Sequence, residues 1–320
     1  MHIYKKYLAL ILVVLMAILT MTGCGAQSVG QKAQTLGQTI GQTIDQATSQ
    51  ENQYGDKEAQ GKLSVRMLDI GQGDAILIKV GDEYSMIDTG DVDHREAIVA
   101  QLKQEGVSHL KRVIITHPHA DHMGGFVAIA KAIPVDEIYD DGIVVQNRVF
   151  KNYSQVIKDK GIKHTVLQRG DSIDFGNGAI FTVLAPFPDN TKTDAQKSKD
   201  LNNYSIVGKL TFGKFSMLFT GDMEKEEEAQ LIQADNSKLF SRILKVAHHG
   251  SKYTTSSKFI RSVKPEAAFI SCGLGNSYGH PGQETLDRLS KENIPVYITD
   301  RNGWIQVDTD GQSWQISKEK

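Results

Sequence analysis

The stretch that decides the reading of this chain is Val113-Ile114-Ile115-Thr116-His117-Pro118-His119-Ala120-Asp121-His122-Met123-Gly124-Gly125. An apolar, β-branched run, read as a short buried strand, leads directly into three histidines and an aspartate within six positions. Imidazole and carboxylate are the borderline ligands that suit zinc and its neighbours. His117 and His119 are two apart, so on extended chain they point to the same side. Asp121 and His122 follow once the chain turns. The segment therefore offers two ligands to one ion and two to a second. Gly124-Gly125 removes side chains where backbone has to pass close by. Loops at the carboxyl ends of strands are where such ligands usually sit.

Three more pieces fit the same chemistry. Phe219-Thr220-Gly221-Asp222 reads as a strand ending on a carboxylate, whose two oxygens could bridge two ions. Alone, a Gly-Asp pair is an ordinary turn. Lys245-Val246-Ala247-His248-His249-Gly250-Ser251 reads as a strand ending in adjacent histidines. On extended chain those two rings face opposite ways, so one of them points inward. Tyr278-Gly279-His280-Pro281-Gly282 is a loop histidine among turn formers, and it gains weight only beside the other clusters. Six of the ten histidines fall in these three groups.

Around these motifs the chain divides into a leader, a tether and a globular part. Lys5 and Lys6 precede an apolar run from Tyr7 to Leu19, followed by Thr20-Met21-Thr22-Gly23-Cys24. A charged start, an apolar core and small residues make a secretory signal, and the run is short of the roughly 20 residues of a membrane span. The Thr-Gly-Cys ending resembles a bacterial lipoprotein signal, with Cys24 as the lipidated residue; the alternative is an uncleaved N-terminal anchor. Both place the rest of the chain outside the cytoplasm and attached to a membrane. Residues 25–61 are rich in Gln, Thr, Ser and Gly and cannot bury enough apolar surface to fold alone. They read as a tether, with a weak helical option at Leu36, Ile40 and Ile44. Residues 62–320 are the globular domain.

Within it, an alternating run at 63–69 and strands at 75–80 and 84–88 predict a meander, with Gly81-Asp82 as a hairpin turn. Helical spacing follows at 96–104, then strand and helix alternate to about residue 160. A β-rich section spans 172–175, 179–184, 204–212 and 215–220. Helices at 224–234 and 285–290 alternate with strands at 243–247 and 267–271, and a hairpin closes the chain around Asp310-Gly311. The order predicts an α/β (α+β) fold of two mixed sheets with helices outside, a four-layer αββα sandwich. The chain has 320 residues, 40% of them hydrophobic, with 36 basic against 38 acidic side chains and two cysteines. That composition excludes a disordered chain and a disulfide framework. It also lacks the basic footprint of bulk nucleic-acid binding, so a nucleic-acid role needs a local site.

His117-Pro-His119-Ala-Asp121-His122 resembles the HxHxDH signature of the metallo-β-lactamase superfamily. Asp69-Ile-Gly71-Gln-Gly73-Asp74-Ala75, Ile87-Asp88-Thr-Gly90, Leu218-Phe-Thr-Gly221-Asp222, His248-His249-Gly-Ser251 and Gly279-His280-Pro281 narrow the resemblance to the metallohydrolase domain of ComEC-type competence proteins. It covers about residues 62–315. The resemblance implies the metallo-β-lactamase sandwich and two divalent metal ions, Zn or Mn. It implies that His117 and His119 hold the first ion, Asp121 and His122 the second, and Asp222 bridges them. His248 is then the remaining ligand or the proton donor, with His280 competing for either role, and Asp74 and Asp88 hold histidine rings in place. Many superfamily members carry another histidine before the bridging aspartate. Here that neighbourhood reads Asp200-Leu-Asn202-Asn203-Tyr-Ser205, which leaves the first site poor in ligands.

Two ions held this way lower the pKa of bound water to about 7 and neutralise charge on the attacked group. That suits in-line attack on a phosphodiester, with Asp121 orienting the nucleophile and His248 or His280 protonating the leaving oxygen. Ser251 and Lys252 either contact phosphate or line a solvated loop. The expectation is an extracytoplasmic metal-dependent hydrolase, a nuclease or phosphodiesterase acting on DNA, where the word DNA comes from the resemblance. Two other readings stand beside it: hydrolysis of a lactam, lactone or thioester, and a non-catalytic tethered DNA-binding module. Cys272 is remote in sequence from the metal motifs, which disfavours lactam chemistry. No protein partner is assigned.

Overall fold

The computed structural model describes residues 59–189 and 191–320. The expected signal, residues 1–24, and the tether as far as residue 58 lie outside the described residues. Ala59 lies against the core beside Gly311.

One sheet is built from β1 (Leu63–Met67), β2 (Ala75–Val80), β3 (Glu83–Thr89), β4 (Leu110–Ile114), β5 (Val135–Asp140) and β6 (Lys163–Val166), extended at its other edge by β14 (Ile305–Thr309) and β15 (Trp314–Lys318). Its order is β15-β14-β1-β2-β3-β4-β5-β6. The second sheet contains β7 (Ser172–Gly176), β8 (Ala179–Ala185), β9 (Val207–Phe212), β10 (Phe215–Phe219), β11 (Ile243–Lys245), β12 (Ala267–Ile270) and β13 (Val296–Ile298), in the order β13-β12-β11-β10-β9-β8-β7. Both sheets are mixed. β3, β4, β5 and β6 run parallel, as do β10, β11, β12 and β13.

The side chains of β2 show why the chain layers this way. Ile76, Ile78 and Val80 enter the core between the sheets, while Ala75 and Leu77 enter a second core behind the first sheet. A strand apolar on both faces has to be covered on both faces. The inter-sheet core joins Val65, Met67 and Ile78 to Phe175, Phe181, Phe212 and Phe219. Behind the first sheet, Ile98, Phe126, Ile129 and Tyr153 come from the helices Arg95–Gln104, Phe126–Ala132 and Arg148–Lys160. Behind the second, Leu231, Phe259, Ile260 and Leu289 come from Lys225–Asp235, Ser257–Val263 and Gln283–Lys291. This is the four-layer αββα arrangement that the element order predicts. In the longest of these helices the Asn147 side chain accepts from the Phe150 N–H at the start, and Gly161 ends it at φ 63°. Among the described residues no helix is long and apolar enough to cross a membrane.

Two expectations for the second sheet shift in ways that matter. The strand expected from Tyr204 begins only at Val207; Leu201–Tyr204 is instead a 3-10 turn. The Ile206 N–H reaches across to the Thr116 carbonyl at 2.8 Å and the Ser205 hydroxyl accepts from the Asp222 N–H at 3.1 Å, so this segment serves the junction of the sheets. The strand expected through Ala247 ends at Lys245, and the two histidines after it leave extended geometry.

Gly124 and Gly125 occupy positions where backbone crosses backbone, as expected. A Cβ on Gly125 would stand 2.0 Å from the Thr89 carbonyl oxygen, although φ there is an ordinary -76°. That oxygen is backbone, not the movable end of a side chain. Gly125→Ala should therefore lower stability by about 1–3 kcal/mol, read as a lower denaturant midpoint at unchanged m-value. A midpoint equal to that of the wild type would show that the crossing can open without cost.

Candidate metal centre

The sequence motifs meet where the carboxyl ends of β3, β4, β10, β11 and β12 converge, the place where open α/β sheets present ligands. His117 and His119 follow β4, Asp121 and His122 sit in the short helix Ala120–Met123, Asp222 follows β10, and the His248-His249 pair follows β11. The turn between β1 and β2 closes over them. Gly73, at φ 113°, leaves no room for a Cβ against the Asp121 carbonyl, and the Asp74 N–H donates to that carbonyl at 3.1 Å.

His122 is fully buried, and its Nδ1 lies 2.8 Å from Asp88 Oδ2. Asp88 is held in turn by the Thr116 N–H (2.7 Å) and hydroxyl (2.8 Å). The other ring nitrogen, Nε2, faces Asp222 Oδ1 at 3.3 Å, and neither atom has a hydrogen-bond partner. His249 repeats the pattern. Its Nδ1 is 2.9 Å from the Ser271 carbonyl oxygen, and its Nε2 faces Asp121 at 3.2 Å and Asp222 at 3.4 Å. In each ring one nitrogen is fixed by an outer partner while the other is aimed at carboxylates, which is how proteins orient metal-binding imidazoles. One ligand atom from each of Asp121, His122, Asp222 and His249 lies within 4.8 Å of all the others. Two imidazoles, two carboxylates and orphaned donor atoms fit a divalent cation.

His117 and His119 stand beside this group, with His117 Nε2 2.8 Å from His119 Nδ1. Burial, then the neighbouring His122, holds His117 well below the usual imidazole range and lowers His119 as well. Both rings are neutral and suited to a second cation. At the position where the superfamily often has a further histidine, the Asn202 amide donates to Glu224 Oε1 at 2.9 Å, and its carbonyl oxygen is buried without a partner.

On extended chain one of the two histidines after β11 would point inward, and the resemblance implies His248 as the remaining ligand or the proton donor. Both residues instead adopt left-handed geometry, φ 49° and 51°, so alternation does not apply. His249 is buried in the four-residue cluster. His248 stands at the cleft wall, its side chain 25% exposed, with Nδ1 3.4 Å from Glu224 Oε1 and Nε2 3.7 Å from Asp222. His280 also lines the cleft; burial, then His249 and His248, pushes it down to about 4. Asp88 does orient His122, whereas Asp74 holds neither ring at hydrogen-bond distance (3.7 and 3.8 Å) and is ion-paired with Lys245. Ser251 turns inward, its carbonyl accepting from Thr285. Cys272 is buried away from the cleft, its thiol pushed up to about 12 by burial.

Lys245 and Glu224 are the residues the sequence reading did not single out. Lys245 is 1% exposed, donates to the Gly221 carbonyl at 3.0 Å and lies 3.9 Å from Asp222. A lysine inside the apolar run Ile243–Ala247 was the available signal, since an unpaired ammonium is not stable there. Burial alone would lower its pKa; Asp74 and Asp222 outweigh that and raise it.

These comparisons extend to known proteins. The sequence model of the metallo-beta-lactamase superfamily matches residues 68–274. ComE operon protein 3 of Bacillus subtilis is 31% identical over 260 residues, covering 76% of this chain and 32% of that protein. Competence protein ComA of Neisseria gonorrhoeae is 29% identical over 248 residues, covering 77% of this chain and 32% of that protein. The chain thus spans about a third of the length of these curated relatives. Among solved structures, the metallo-beta-lactamase fold protein YhfI of Bacillus subtilis superposes with TM-score 0.51 at 12% identity, over 78% of this chain and all of that one. That likeness concerns the fold.

Burial opposes charge on His122 and His249, yet Asp222 and the other carboxylates raise His122 well above its ordinary value and push His249 up to about 10. The carboxylates thus favour the protonated form of both rings, whereas only the neutral ring can ligate. Calorimetric titration of the metal-free chain with Mn²⁺ or Zn²⁺ in buffers of different ionisation enthalpy should show net proton release on binding at pH 7, with affinity rising as the pH rises. Binding without proton release would place the ion elsewhere.

Proposed function

The chain belongs to the metallo-β-lactamase superfamily, and we propose that it is an extracytoplasmic metal-dependent hydrolase that cleaves phosphodiester bonds, with DNA as its substrate. The observation that carries this reading is the buried Asp121–His122–Asp222–His249 cluster at the floor of a cleft of about 270 Å³. The competence proteins among its relatives support the choice of DNA.

In this reading Asp121, His122, Asp222 and His249 would hold one divalent ion, and His117 and His119 would hold a second. The ions, when bound, supply Lewis acidity and an activated water at neutral pH. The rest falls to the protein. Asp121 is half-open to the cleft and can accept a hydrogen bond from the attacking water. Asp88 and Ser271 keep the His122 and His249 rings from turning. The leaving oxygen takes its proton from His248, whose Nδ1 faces the Glu224 carboxylate, itself held low by that contact. His280 is poorly suited to that task, since a ring titrating at about 4 carries no spare proton at pH 7. The buried, high-pKa Cys272 offers no ligand to the cleft, which disfavours lactam chemistry.

The decisive assay strips the full chain of metal and restores Mn²⁺ or Zn²⁺ in the presence of plasmid DNA, bis(p-nitrophenyl) phosphate and a chromogenic lactam. Metal-dependent cleavage of DNA and of the small diester is expected. It should fall at least about 100-fold in Asp121→Ala and His249→Ala. Lactam turnover without diester cleavage would overturn the reading, and DNA retention with no cleavage under either metal would make the protein a binding module. Membrane attachment through a lipid on Cys24 is part of the same proposal. Cys24→Ser should move the protein from the membrane to the soluble fraction, and unchanged membrane recovery would refute the lipid anchor.

A further inference from the structure

Three of the six exposed large hydrophobic side chains among the described residues, Tyr253 (60%), Leu274 (84%) and Tyr278 (71%), lie on the loops after β11 and β12. These are the loops that carry His249 and His280. Tyr278 lines the cleft, and its ring stacks on His280 with centroids 5.8 Å apart and planes inclined by 18°. Tyr253 carries two cations near its face, Lys252 at 5.1 Å and Lys225 at 5.8 Å.

The exposure of these rings is built in. The Asn276 amide donates to the Gly273 and His280 carbonyls and accepts from the Tyr278 and His280 N–H groups, at 2.6 to 3.2 Å, which fixes the loop around Tyr278. The two loops are also braced to each other. The Gly282 N–H donates to the Gly250 carbonyl at 2.9 Å, and Arg288 donates to the carbonyls of Lys252, Thr254 and Thr255. Loops braced in this way keep both rings in water, and Tyr278 has one face on His280 and the other open to a flat partner.

Resting on the phosphodiesterase reading above, we propose that Tyr278 and Tyr253 are stacking platforms for unpaired bases, so that the substrate is a single DNA strand rather than a duplex, with Lys252 and Lys225 against its phosphates. In a duplex the base faces are covered by their neighbours; in a single strand they are open, and aromatic rings beside cations are the combination that binds them. The buried cluster lies below the rim, and a flexible single backbone can bend a phosphate down to it. Stacking also supplies affinity that a chain of nearly balanced charge does not obtain from a long electrostatic footprint.

The test uses the Mn²⁺-loaded full chain with four probes: a short single-stranded oligonucleotide, the same strand made abasic, the matching duplex, and bis(p-nitrophenyl) phosphate. Fluorescence anisotropy reads binding of the first three, and steady-state kinetics read cleavage. The single strand should bind roughly tenfold tighter than the abasic strand or the duplex. Tyr278→Ala should raise its KM roughly tenfold with a much smaller change in kcat, and Tyr278→Trp should restore it. Tyr253→Ala should raise KM in the same direction. On the abasic strand Tyr278→Ala should add no further loss. Equal affinity for single strand and duplex, or the same loss on the abasic strand, would overturn the stacking rim even if both diesters are cleaved. Preferential single-strand binding with no cleavage of any diester would instead overturn the phosphodiesterase reading and leave the rim standing.

Discussion

The architecture depends on how charge is buried where the two sheets meet. Asp74, Asp88, Asp121 and Asp222 converge there with the Lys245 ammonium and the rings of His122 and His249, and of these only Asp121 is appreciably exposed. An unpaired charge at such a position costs several kcal/mol, so no member of the group is independent of the others. Lys245 neutralises Asp74 from the second sheet, and Asp88 neutralises His122 from the first. The cluster is thus a fastener between sheets as well as a site. Among its inward-facing atoms, His122 Nε2 and Asp222 Oδ1 have no hydrogen-bond partner.

That division separates a fixed rear from a usable front. Behind the cluster, each ring has one nitrogen committed to Asp88 or to the Ser271 carbonyl. In front, the uncommitted atoms point into a cleft walled by His248, His280 and Tyr278. The front walls come from loops held by the side chains of Asn276, Thr285 and Arg288, so the cleft keeps its shape without help from a substrate. Preorganisation of this kind is what a site needs if its binding energy is to be spent on the reaction.

Much of this is written locally in the chain. The Thr116–Gly125 stretch names its ligands because their types and spacing are a local matter. The alternation in β1 is equally local. Asp222 was identifiable because it ends an apolar strand. The segment before β9 was misread because its apolar pattern continues through Tyr204, while Ser205 and Ile206 are committed to Asp222 and Thr116 instead. Lys245 was passed over although it is a charge within an apolar run, because its partner Asp74 lies on the other sheet.

The sequence by itself determined the ligand types, the layered α/β architecture and the metal-centred chemistry, since each follows from residue identity and from periodicity along regular backbone. Only the tertiary structure decided which of two adjacent histidines turns inward. Alternation is a property of extended chain, and at His248 and His249 the chain leaves that geometry. The direction of the His249 ring is set by Ser271 on the next strand and by Asp121, 128 positions away. The same holds for the exposed tyrosines. Nothing in Tyr253 or Tyr278 marks a displayed ring; bracing between loops far apart in sequence keeps those rings in water.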